Sequence, residues 1–114
     1  MTRAELIEAL ETAQGADSTL DFAIVEWLYK ERISLAPLYP GPINYDPRLW
    51  QERYGFSPTG SIDAAMMLAS HDMDDADIGV MLNEAAFKCI LAGSSIRTDL
   101  PRFIAAACLR AGGE

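Results

Sequence analysis

The end of the chain constrains the fold most. In TDLPRFIAAACLRA (98–111), Leu100, Phe103, Ile104, Ala107, Cys108 and Ala111 recur at three- and four-residue intervals. That spacing lines them along one side of a helix and requires a core for that side to face. Thr98 or Asp99 suits the cap of this helix, Pro101 fits its first turn, and Gly112-Gly113 ends it.

Three further segments carry the same signature. Thr2-Arg3-Ala4-Glu5 is a capping-box pattern, followed by Leu6, Ile7, Leu10 and Ala13 on one face and by Gly15 as a stop. Asp17 or Ser18 caps a second helix whose apolar positions are Leu20, Ala23, Ile24, Trp27 and Leu28, with Glu26 and Lys30 paired on its outer face. Ser61 caps a third, with Ile62, Ala65, Met66 and Ala69 on one side.

Between residues 34 and 60 the composition changes. Five of the six prolines lie there, with five of the ten aromatic residues: Tyr39, Tyr45, Trp50, Tyr54 and Phe56. Asp46-Pro47 reads as a cap followed by proline at the first helical position, so a short helix over 47–54, ended by Gly55, is expected. The rest reads as ordered loop or extended chain. A connection of this length in a compact domain is usually functional or an insertion.

After the charged run HDMDDAD (71–77) the period changes. Ile78, Val80 and Leu82 alternate with Gly79, Met81 and Asn83, and Phe87, Cys89 and Leu91 alternate with Lys88 and Ile90. With Asn83-Glu84-Ala85 as a turn, this is an antiparallel hairpin. A helix from Met81 through Leu91 competes, because NEAAFK is rich in helix formers.

Three blocks carry a family resemblance: ADSTLDFAI (16–24), SPTGSIDAAMML (57–68) and TDLPRFIAAACLRA (98–111). In that order and at that spacing they resemble the phage ABA sandwich domain family, small proteins of phages and prophages without an established activity. The resemblance implies strands in the region where period alone leaves hairpin and helix open. The chain departs from the family in its 34–60 segment, which replaces a shorter linker. It departs again at HDMDDAD, where relatives carry a Pro-Glu-Gly turn and a Trp-containing strand. The expected fold is α+β in one domain of 114 residues. A small antiparallel sheet, the hairpin at about 77–92, packs with helices at about 2–14, 17–33, 61–70 and 98–111. A mostly α fold is the alternative. A lone hairpin is marginal, which leaves open a third strand, a core supplied by the helices, or a homodimer.

Seventeen acids against nine bases give a net charge of -8. That balance disfavours direct nucleic-acid binding, which needs Lys and Arg to displace counterions. Cys89 and Cys108 each sit in an apolar run without a second Cys or His at ligand spacing, so buried free thiols are expected. No segment approaches the ~18 apolar residues of a membrane span, and the first residues lack the apolar run of a signal peptide. A cytoplasmic location in a bacterial host is the resulting expectation.

Four side chains form the candidate partner surface: Tyr39, Tyr45, Trp50 and Tyr54, residue types enriched at binding hot spots and here presented among prolines. Packing onto the core is the competing role for them. In the acidic run, Asp72, Asp74 and Asp77, beside the lone His71, are weak candidates for a hard cation. They miss the glycine and the terminal glutamate of a calcium loop, so capping of a neighbouring element is the better account. Asp21 and Asp63 each fall in the first turn of a helix, where a carboxylate meets the positive end of the dipole. No catalytic set, P-loop or dinucleotide fingerprint is present.

The expected function is therefore a non-enzymatic phage or prophage accessory protein that binds an unknown host or phage protein. An acidic inhibitor of a host defence complex is one form of it. The alternatives are a small metal-dependent module built on His71–Asp77, or a structural or packaging accessory. No cofactor is expected.

Overall fold

A computed structural model of the chain describes residues 1–35, 39–69 and 73–111. Six helices follow in order: α1 (Arg3–Thr12), α2 (Ser18–Glu31), α3 (Pro47–Tyr54), α4 (Ile62–Met66), α5 (Asp75–Leu91) and α6 (Ile96–Ala111). The only strand pairing among the described residues is a short antiparallel ribbon of β1 (Ser34–Leu35) and β2 (Tyr39–Pro42).

Local chemistry explains most of the helix starts. Thr2 and Glu5 exchange side-chain-to-backbone hydrogen bonds at the head of α1. The Asp17 carboxylate accepts from the Thr19 and Leu20 amides at the head of α2. Asp46 accepts from the Arg48 amide, with Pro47 at the first position of α3, and Ser61 accepts from the Ala64 amide at α4. Each bond satisfies a helix-end donor that would otherwise lack a partner. Gly55 ends α3 at φ +58°, a left-handed conformation that glycine adopts without a side-chain clash.

The core is organised around α6. Residues 101 through 109 are all buried, and the helix packs on α5, α1 and α4. Small side chains on its flanks (Ala105, Ala106 and Ala107) leave room for neighbours on every side. Leu6 and Leu10 of α1 and Leu20, Ile24, Val25 and Leu28 of α2 complete the same apolar cluster, with Ala65 of α4 and Met81, Ala85 and Cys89 of α5.

Two expectations are corrected here. The first is the α+β fold with its hairpin at 77–92: that stretch is helix α5, and the protein is helical, as in the mostly α alternative. Met81, Ala85 and Cys89, four apart, all face the core, and Asp74 caps the helix by accepting from the Asp77 amide at 2.8 Å. Asp75 and Asp77 add negative charge to its first turn. The alternation that suggested strands arises because this helix is apolar on two sides.

The second correction concerns the start of α6. It begins at Ile96 rather than Thr98, so Pro101 lies inside the helix. The Ser95 hydroxyl accepts from the Arg97 amide at 3.2 Å, while the Ser95 amide donates to Asp99 Oδ2 at 3.0 Å. This reciprocal pair starts the helix before the proline, whose missing N–H then costs one bond of the ladder.

Candidate functional site

The candidate aromatic surface is split by the fold. Trp50 is 4% exposed and belongs to the core, 5.0 Å from the Tyr54 ring and 6.4 Å from the Phe56 ring by centroid. Gln51 ties Phe56 in place, donating to its carbonyl at 2.6 Å and accepting from its amide at 3.1 Å. Tyr45 and Tyr54 are exposed, and partial burial together with the neighbouring Tyr54 pushes the Tyr45 phenol up. The Tyr39 side chain lies outside the described residues. The segment therefore packs through Trp50 and shows its two tyrosines at the rim.

The acidic run divides in a similar way. His71 and Asp72 lie outside the described residues. Asp74 is the cap of α5, and Asp77 stands in its first turn. Among the described residues no three His, Cys, Asp or Glu side chains come together as a metal would need. Asp63 lies in the first turn of α4. Asp21 lies in the first turn of α2, is buried, and accepts hydrogen bonds from the amide and hydroxyl of Thr59.

Two fully buried polar groups, Thr59 and Arg102, carry no recognisable sequence signal. Arg102 sits in the middle of the apolar run of α6 and is fully buried. Its Nη1 donates to the Leu10 carbonyl, and its Nη2 stands 2.9 Å from Asp99 Oδ1; Nε has no acceptor among the described residues. Asp99 also accepts from the Gly15 amide at 2.8 Å. The Arg102 guanidinium, and after it the Gly15 amide, hold the Asp99 carboxyl down at about 2. This network clamps the end of α1 to the start of α6. Both thiols are buried, and burial pushes Cys108 up to about 12 and raises Cys89. At neutral pH they are poor nucleophiles.

The feature that core packing leaves unexplained is the outer face of α5. Val80, Phe87, Ile90 and Leu91 are 65%, 63%, 61% and 71% exposed. With Asn83, Glu84 and Lys88 they line one shallow open groove. At about 100° per residue, Val80, Phe87 and Leu91 fall within one narrow stripe, opposite Met81, Ala85 and Cys89. A helix with an apolar stripe on each of two sides normally has both covered. Here α6 encloses only one. The signal was present in the sequence as two interleaved helical series, 81, 85, 89 and 80, 87, 91, but short alternations masked it.

Compared with protein-family models, with curated proteins and with solved structures, the chain matches none. No helix among the described residues is long and apolar enough to cross a membrane. The α5 face is therefore an apolar surface on a helix that is not long and apolar enough to be a span.

Proposed function

We propose that this protein is a non-enzymatic binding module that recognises another protein by helix packing on the outer face of α5. The observation that carries this reading is the exposure of Val80, Phe87, Ile90 and Leu91 on a helix whose other side is already in the core. Contiguous apolar patches of this kind mark interaction sites more often than ordinary surface. Five of the charged and nucleophilic groups meanwhile serve the fold: Asp74 as a cap, Asp21 and Asp99 as acceptors held by Thr59 and Arg102, Cys89 and Cys108 as core. The acidic balance directs the choice of partner toward proteins. The sequence resemblance adds nothing to this reading, because the sandwich it implies is not the fold adopted.

A photoreactive phenylalanine analogue placed at Val80 tests it in living cells, with the same group at exposed Glu52 on α3 as control. A discrete crosslinked product from position 80 and none from position 52 is expected. No product from position 80 would remove the reading.

A further inference from the structure

We propose that the partner of the α5 face is a second copy of this chain, bound antiparallel about a two-fold axis at the level of Ala86. This rests on the binding function proposed above and names its occupant. Three properties of the helix select it.

The first is the position of the apolar stripe. Val80 and Leu91 are its ends, so its midpoint lies between Ala85 and Ala86. An antiparallel copy related by an axis at that level sets Val80 against the partner's Leu91, and each Phe87 beside the axis. The stripe is its own complement, as a two-fold interface requires.

The second is charge. Glu84 and Lys88 flank the stripe on one side, and their midpoint is Ala86 as well. In an antiparallel helix pair, like flanks meet. Glu84 then faces the partner's Lys88, and Lys88 faces the partner's Glu84. A parallel pair would bring this flank against the one carrying Asn83 and Ile90 and leave both charges unanswered. The centre of the apolar stripe and the centre of the charge pair thus agree to within half a residue, less than about 1 Å along the helix. Lys88 would exchange one ion pair, with Glu11, for this one. Its ammonium is 3.7 Å from Glu11, whose carboxylate is already held by both Nη atoms of Arg110 at 3.1 Å.

The third is area. Four side chains at these exposures present on the order of 400 Å² of apolar surface, near the largest patch of an ordinary monomer. Two faces with their flanks bury about 1,000 Å², the lower edge of a specific interface. The dimer is accordingly weak and dissociates on dilution.

Light scattering on the purified full chain, over a concentration series, tests this. The mass is expected to rise to twice that of the chain, and Phe87→Asp to stay monomeric while melting like the wild type at high dilution. Glu84→Lys and Lys88→Glu are each expected to weaken self-association at least tenfold. An equimolar mixture of those two variants should recover the dimer, because one face is then wholly basic and the other wholly acidic. A wild-type chain that stays monomeric at millimolar concentration overturns the proposal. So does a dimer indifferent to Phe87→Asp, or a mixture that fails to recover it. A monomer whose position 80 still crosslinks a different protein in cells removes the second copy and leaves the binding function standing. No dimer and no crosslink remove both.

Discussion

Asp21 and Thr59, 38 positions apart, are joined by two hydrogen bonds to one carboxylate oxygen, from the Thr59 amide at 2.9 Å and its hydroxyl at 2.8 Å. The same hydroxyl oxygen accepts from the Asp17 amide at 2.8 Å. Its single proton goes to Asp21 rather than to the Asp17 carbonyl at 3.2 Å, the weaker acceptor. The loop before α4 is thereby pinned to the first turn of α2. Gly60 permits the approach: a Cβ there would meet the Ala16 Cβ at 3.2 Å.

Thr59→Val removes the hydroxyl and leaves the buried carboxylate with one donor. A loss of about 1.5–3 kcal/mol in urea unfolding is expected, the usual range for a hydrogen bond to a charged group. Burial raises the Asp21 pKa above its ordinary value, against the opposing Thr59 bonds. A raised folded-state value favours folding below the unfolded pKa and loses that contribution as pH rises through the folded one. The Thr59→Val penalty should therefore be larger at neutral pH than in acid. An equal penalty at both would contradict this account.

Asp99 works in the opposite direction. Its folded pKa of about 2 lies below the ordinary 3.8. The stability it contributes is present above 3.8 and is lost as pH falls toward about 2. Its side chain is only 14% exposed, so bulk water screens the pair with Arg102 little. Urea midpoints measured from about pH 5 down to about pH 2 should fall in the wild type and fall less steeply in Asp99→Asn. Parallel slopes for the two proteins would reject the assignment.

The thiols give a third check. Both cysteines are buried; Cys108 Sγ lies 3.5 Å from Met81 Sδ and 3.6 Å from the Ala65 carbonyl. Neither should react with a thiol reagent in the native protein, and both should react in denaturant. Fast labelling of either in native buffer would mean that α5 and α6 separate readily.

The sequence made some of this visible and hid the rest for physical reasons. Thr2, Asp17, Asp46 and Ser61 were legible as caps because a cap is chosen by residues within a turn of it. Helix α5 was not. Its two apolar faces interleave along the chain, so apolar positions alternate over short runs and no single period stands out. Arg102 was hidden because its burial depends on the Leu10 carbonyl, 92 positions away. Trp50 sat among prolines that suggested display, yet the face it buries is set by Phe56 and Tyr54 around it. The candidate site was illegible for the same reason as α5: an exposed apolar face can be told from a core face only once the core is known.

Trp50 and Phe87 separate these two roles in one experiment. Trp50 is 4% exposed and Phe87 63%, though both are large aromatic residues on helices. Trp50→Ala opens a cavity beneath Tyr54 and Phe56 and should cost about 3–5 kcal/mol. Phe87→Ala removes a side chain that already faces water, and should change monomer stability by about 0.5 kcal/mol or less. Denaturant midpoints at high dilution measure both, since dilution removes any contribution from self-association. At high protein concentration Phe87→Ala should become destabilising relative to wild type, while the Trp50→Ala penalty should change little. A concentration-independent loss for Phe87→Ala would place that ring in the core and leave α5 without a free face.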